Sequence, residues 1–235
     1  MRKIAIIGAN QAGLYLGISL VNAGYSVTVY AEETSEEILN SKLPATATLF
    51  PDALELEKKL GLNFWDEEFS GCQKYCHEIC DSQGNINLII SAPLEIPWKA
   101  IDLRLKSSTW MDEFERRGGE LIVRKTNLEN LEECYRNYDL VVISIAKSSL
   151  AQLFEKDKQK SKFDRPQRHL AGILTQSNYK LANRFNAINI TEVGEIFQFP
   201  FYNKDGNIVS AITKSNLLPK WRSNYLIRQK ILNSY

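Results

Sequence analysis

The sequence predicts an α/β protein in which a parallel sheet is interleaved with a second, mostly antiparallel sheet. Three observations carry that prediction. A short apolar run, Lys3–Ile7, leads straight into Gly8-Ala9-Asn10-Gln11-Ala12-Gly13. A second apolar run, DLVVISI over Asp139–Ile145, has the near-continuous hydrophobicity of a strand covered on both faces. After Phe163 the texture changes to short strand-like pieces separated by turns.

The elements follow in order. Lys3–Ile7 reads as a buried parallel strand. Ala12–Ala23 carries Leu14, Leu16, Ile18, Leu20 and Val21, a helix buried on more than one side, with Gly24 as its stop. YSVTVY over Tyr25–Tyr30 is β-branched and aromatic, hence a strand. Phe50–Leu60 reads as a helix ended by Gly61. Phe69–Cys80 and Ile86–Ala92 read as strands joined through Asp81-Ser82-Gln83-Gly84-Asn85. Asp102–Arg117 is a helix stopped by Gly118-Gly119, Glu120–Val123 a short strand, and Leu128–Tyr135 a short acidic helix. His169–Leu174, Ala187–Glu192, Ile196–Pro200 and Asn207–Ile212 form the later strands. Residues 1–65 and 99–150 thus form the parallel α/β part. Residues 66–98 and 151–217 form the antiparallel part, and 218–235 a basic tail with helical potential.

The strand, glycine turn, helix and second strand make a βαβ unit of dinucleotide-binding, Rossmann-like type. In that turn the first glycine lets the chain bend off the strand, the second lets backbone approach a pyrophosphate, and the third lets helix and strand pack closely. Gly8 and Gly13 fill the first and third places, and Asn10 stands in the second. Asn tolerates positive φ better than most residues, and its amide can donate to an oxygen. The N–H groups around Gln11 and Ala12 are placed to hold phosphate at a helix start. Glu32 follows the second strand at the spacing of a ribose-binding acid. Glu32 and Glu33 equally well begin a solvated acidic run with Glu36 and Glu37. No second glycine turn follows, which implies one dinucleotide and no separate pyridine-nucleotide domain.

At this point the chain resembles the oxygenase component of styrene and indole monooxygenases. The resembling segments are IAIIGANQAGLYLGISL…YSVTVYAE, AIDLRLKSSTWMDEFERRGGEL with its Asp-x-Arg pair, YDLVVISIAKSSL, FDRPQRHLAGIL and GEIFQFPFYNKDGNIVSAIT. They span about residues 2 to 215, and Phe163…Pro166-Gln167-Arg168 is the most specific, because the general dinucleotide fold does not require it. The resemblance implies FAD as cofactor, received in reduced form from a separate flavin reductase, with oxygen activated on it and one atom passed to a small aromatic alkene. It places Gly8, Asn10, Gln11, Ala12 and Gly13 on the phosphate turn, Glu32 beside the adenosine ribose and Arg104 near the FAD phosphates. On residue type alone, Arg104 reads as a surface charge of its helix. The sequence departs from the family at Asn10, at Pro44 and at Ala146. The family also continues through a Gly-Asp motif and a loop over the flavin ring, so the resemblance implies a C-terminally truncated relative. A truncated or degenerate FAD- or NAD-binding chain, acting as a non-catalytic interaction module, is the alternative expectation.

Other features narrow the class. A net charge of +1 lacks the basic excess of a nucleic-acid or membrane binder. The apolar start is interrupted by Asn10 and Gln11 and has no cleavage site, so it does not read as a signal peptide. Four cysteines without a leader point to a reducing, cytoplasmic setting. Cys72, Cys76, His77 and Cys80 invite a metal reading, but on a strand the three cysteines share a face and are spread too far for one ion. No metal is expected. His77 and His169 complete no catalytic arrangement, and no catalytic residue is assigned. Trp65, Tyr75, Trp98, Phe197, Phe199, Phe201 and Tyr202 read either as core or as an apolar pocket. The edges of the antiparallel sheet lead to an expected homodimer.

Overall fold

A computed structural model describes residues 1–145, 150, 153–155, 157–161, 163, 166, 168–175 and 183–217. The readings made at Ala146, Gln167 and the tail 218–235 lie outside the described residues. The chain divides into two compact units. The first comprises Met1–Phe69, Lys99–Asp157 and Tyr202–Asn207, and the second Ser70–Trp98, Lys158–Phe201 and the described residues from Ile208 onward.

The first unit contains β1 (Lys3–Ile7), α1 (Gln11–Asn22), β2 (Ser26–Ala31), α2 (Ser35–Leu39), β3 (Thr46–Leu49) and α3 (Pro51–Lys59). The second begins with β4 (Cys72–Cys80) and most of β5 (Ile86–Asp102), whose residues from Lys99 belong to the first unit. The first unit continues with α4 (Leu103–Arg116), β6 (Glu120–Val123), α5 (Leu128–Asn137) and β7 (Leu140–Ile143). Then come β8 (Arg168–Thr175), β9 (Arg184–Ile190), β10 (Gly194–Tyr202) and β11 (Ile208–Leu217).

Among the described residues, the first unit's parallel sheet runs β6-β2-β1-β7. Alternation along β1 sends Ile4 and Ile6 to one face and Ala5 and Ile7 to the other. Ile4 and Ile6 pack with Val27 and Val29 against Leu14 and Ile18 of α1 and Trp110, Met111 and Phe114 of α4. Ala5, Ile7 and Tyr30 pack against Leu131 and Cys134 of α5 and Leu150. Each fully buried aliphatic side chain here contributes about 1.5–3 kcal/mol. Helix α1 buries Gly13, Leu14, Gly17 and Ile18, a single face rather than several. It ends in two backbone bonds, Gly24 N–H to Val21 (2.9 Å) and Tyr25 N–H to Leu20 (3.0 Å). That geometry needs a positive φ, +85° at Gly24. β7 has one strand neighbour among the described residues and is only partly buried, unlike the fully covered strand its sequence predicts.

Two elements escaped the sequence reading. Thr34 and Glu37 form a reciprocal capping box that starts α2, so this stretch is a structured turn of helix rather than only a solvated acidic run. β3 pairs with the end of β5, Thr46 opposite Asp102.

In the second unit the order is β5-β4-β9-β10-β11-β8. The pairings β4–β5, β9–β10 and β8–β11 are antiparallel, while β4–β9 is parallel. Asp81 closes the β4–β5 hairpin by accepting from the N–H groups of Gln83 (2.8 Å) and Asn85 (2.9 Å). β5 is longer than its sequence suggests and leaves Leu88, Ile89 and Ile90 exposed. No described helix is long and apolar enough to cross a membrane.

Candidate dinucleotide cleft

The turn between β1 and α1 is built by two close approaches. Gly8 has φ +118°, and a Cβ there would lie 2.3 Å from the Ser144 carbonyl oxygen. A Cβ on Gly13 would lie 2.1 Å from the Gly8 carbonyl oxygen. The first glycine is therefore required by both backbone angle and space, and the third by space alone.

Asn10 does not use the tolerance for positive φ that its residue type suggested. Its backbone is extended (φ −86°, ψ 175°), because it is the N-cap of α1. Its Oδ1 accepts from the Gly13 N–H (3.0 Å) and from the Ser144 hydroxyl (3.0 Å). Its Nδ2 donates to the Ser144 carbonyl. The side-chain amide thus ties the turn to the end of β7. The N–H groups of Gln11 and Ala12, first and second in α1, have no intrahelical acceptor by position. No acidic side chain in the first turn offsets their field.

The other expected residues are placed unequally. Glu32 is exposed and follows β2 directly. Arg104 is at the start of α4, not on an open surface: its side chain is 11% exposed. Its Nε and Nη2 donate to the two carboxylate oxygens of Asp102 (3.0 and 2.7 Å), and its Nη1 to the Ser41 carbonyl (2.7 Å). Asp102 is fully buried and also caps α4 by accepting from the Arg104 N–H (3.0 Å). This pairing raises the Arg104 pKa further above its ordinary value.

These residues surround one cleft of about 380 Å³ at the carboxyl ends of the parallel strands. Gly8, Asn10, Glu32, Ser41, Arg104 and Arg124 are among its lining residues. Gln11, Ala12 and Gly13 are not. Gln11 turns its amide to Glu57 Oε1 (3.1 Å), Ala12 is exposed, and Gly13 is buried beneath the turn. Arg124 was missed in the sequence. Its only signal was its place directly after a short parallel strand, where such folds put their ligand contacts.

Behind the turn lies a buried ion pair. Lys106 of α4 is 1% exposed and donates to both Glu57 carboxylate oxygens (2.7 and 2.9 Å). Its Nζ lies 5.2 Å from the Trp110 ring centroid. Burial pushes the Glu57 pKa up and the Lys106 pKa down, each opposed by the partner's charge.

The aromatic residues separate by unit. Trp65 and Tyr202 pack with Phe69 and Ile101 in the first. Tyr75, Trp98, Phe197 and Phe199 gather around Phe185 in the second, with ring centroids 5.4–6.2 Å apart. Cys72, Cys76 and Cys80 are all buried, and burial pushes the Cys72 thiol up to about 12. His77 shares a hydrogen bond with Tyr75 (3.0 Å).

A family model described as "Styrene monooxygenase A putative substrate binding domain" matches residues 146–216. Styrene monooxygenase StyA of Pseudomonas fluorescens is 28% identical over 217 residues, which is 92% of this chain and 52% of that protein. StyA of a second Pseudomonas is 27% identical over the same span. The chain therefore spans about half the length of these curated relatives. Among solved structures, a variant of the halogenase PltM in complex with FAD matches all of the chain and 56% of its own (TM-score 0.62, 15% identity). A variant of Pseudomonas aeruginosa PqsL matches 99% of the chain and 62% of its own (TM-score 0.59, 11% identity). A variant of 2-methyl-3-hydroxypyridine-5-carboxylic acid oxygenase matches 100% and 64% (TM-score 0.57, 11% identity). The chain is thus a styrene monooxygenase-like sequence on an α/β fold shared with oxygenases and a halogenase.

Proposed function

We propose that the cleft holds the ADP half of FAD and that the chain belongs to the oxygenase side of a two-component flavin monooxygenase. The observation that carries this reading is a juxtaposition. Gly8 and Asn10 of the turn, the Glu32 carboxylate and the Arg104 guanidinium line one cleft, with the free N–H groups of Gln11 and Ala12 next along the chain, in a chain similar to StyA over 217 residues. The residues fit the group. The α1 N-terminus favours an anion, which suits the pyrophosphate beside Gln11 and Ala12. Glu32 accepts from ribose hydroxyls. Arg104 uses three of its five N–H donors on Asp102 and Ser41, which leaves one on each Nη for phosphate. Asp102 fixes the plane of that guanidinium, so little freedom is lost on binding.

When bound, reduced flavin supplies the activation of oxygen and its transfer to a small aromatic alkene. This chain's residues bind and orient. The aromatic cluster around Phe185 in the second unit offers apolar surface suited to such a substrate. A separate flavin reductase as electron source, a homodimer through the exposed apolar stretch of β5, and a cytoplasmic setting belong to the same reading.

The test is in two steps. FAD added to the chain should bind saturably at micromolar concentration, followed by flavin fluorescence. Reduced FAD regenerated by a flavin reductase, with oxygen and styrene or indole, should then give oxygenated product. Absence of saturable binding up to high micromolar FAD overturns the cofactor assignment. Binding without product favours a non-catalytic dinucleotide-binding module.

A further inference from the structure

Arg124 follows β6, and its backbone N–H donates to the Ala31 carbonyl at the end of β2 (2.7 Å). Along the strand ends the order is therefore the phosphate turn on β1, Glu32 after β2 and Arg124 after β6. A dinucleotide with its pyrophosphate at the turn and its ribose at Glu32 carries its adenine toward β6.

The Arg124 side chain lines the cleft. Its guanidinium carbon lies 5.2 Å from the Tyr30 ring centroid, and its Nη1 donates to Glu133 (3.1 Å). Its Nε and Nη2 are buried and have no acceptor among the described residues. The Tyr30 face attracts the cation but supplies no lone pair in the guanidinium plane. Buried donors without acceptors are uncommon and lower stability, so a missing acceptor is the natural explanation. Adenine provides what is missing, ring nitrogens with in-plane lone pairs. Glu32 and Glu33 line the same end of the cleft, so a 2′-phosphate there would meet two carboxylates.

We propose that Arg124 holds the adenine end of the bound dinucleotide and selects adenosine with a free 2′-hydroxyl. This rests on the reading of the cleft as a dinucleotide site. It makes Arg124 the residue by which the protein prefers FAD over FMN.

The experiment measures dissociation constants of FAD, ADP, FMN and 2′-phosphorylated ADP for the wild type, Arg124→Ala and Arg124→Lys. Thermal unfolding of each variant checks that it is folded. Arg124→Ala should weaken FAD and ADP by the same factor, about tenfold, and leave FMN unchanged. Arg124→Lys keeps charge and stem but loses the plane, so it should show the same selective loss. If Arg124→Ala does not fold, Arg124→Lys carries the test. FAD binding that is unchanged in the variants, or FMN weakened as much as FAD, overturns the role of Arg124 alone. Tighter binding of 2′-phosphorylated ADP than of ADP overturns the selection. A wild type that binds none of the four overturns the dinucleotide reading and this proposal together.

Discussion

Lys106 and Glu113 lie two turns apart on helix α4, and each anchors a cluster of opposite charges. Around Lys106 the cluster is buried: Lys106 and Glu57 are 1% and 4% exposed. Around Glu113 it reaches the surface. Arg116 and Arg117 both donate to the Glu113 carboxylate (2.6 Å), and the Arg116 side chain is 70% exposed. The directions of the pKa shifts differ accordingly. Burial dominates at Glu57 and pushes its pKa up. Hydrogen bonding from Arg116, helped by Arg117, dominates at Glu113 and holds it down at about 2. Similar pairs therefore do different work. The inner pair is a costly tie that joins α3, α4 and, through Gln11, the phosphate turn. The outer cluster steadies the end of α4 and, through Arg117 and the Leu60 carbonyl (2.9 Å), the end of α3.

The largest effect should come from breaking the inner pair. Glu57→Ala leaves the Lys106 ammonium buried without its carboxylate and should cost about 3–5 kcal/mol in denaturant unfolding. Replacing both partners, with Glu57→Leu and Lys106→Met together, should recover most of that loss, because neither charge is then left desolvated. The double variant should still bind FAD more weakly than wild type, because Gln11 has lost its acceptor at the turn. If the double variant is as unstable as Glu57→Ala, the loss is one of packing and the contrast between the two clusters fails.

The sequence showed the frame of the fold better than its ties. Lys3–Ile7, Gly8, Gly13 and the strand after Gly24 carry local signals, periodicity and turn chemistry, and were readable. The Arg104 plane was legible only in part: Asp102 is two residues away in the Asp-x-Arg pair, whereas the Ser41 carbonyl is 63 residues away. Glu57 and Lys106 are separated by 49 residues, and no local pattern pairs them. Arg124 gave one signal, its place directly after a short parallel strand; strand order, which sets that strand end next to the one bearing Glu32, was not legible. Asn10 was legible as a member of the turn, but not its tie across the sheet. Its partner Ser144 is 134 residues away.

That tie at Asn10 is the neutral counterpart of the inner ion pair, and it should matter less. Asn10→Ala removes the helix cap and should cost about 1 kcal/mol, with somewhat more if the Ser144 link contributes. Asn10→Asp keeps an acceptor for the Gly13 N–H but loses the donor to the Ser144 carbonyl. It also sets a negative charge beside the phosphates. Its stability, read by chemical denaturation, should lie closer to wild type than that of Asn10→Ala, while its FAD affinity should be lower. Equal FAD affinity for Asn10→Asp and wild type would separate this side chain from the phosphate site.

The smallest effect belongs to the outer cluster and shows only in acid. The Glu113 carboxyl has a folded pKa of about 2 against an ordinary value of 4.5. A carboxylate whose pKa is lowered by folding stabilises the protein in full above its unfolded value. That contribution declines as pH falls from 4.5 and is gone below about 2. Glu113→Gln should therefore unfold with a shallower pH dependence between those limits, and should differ from wild type by a constant amount near neutrality. High salt should shrink the difference, because Arg116 is in water. The Glu57–Lys106 pair should resist the same salt, being out of reach of mobile ions. An equal salt response in both clusters would mean that water reaches the inner pair as well, and the contrast along α4 would collapse.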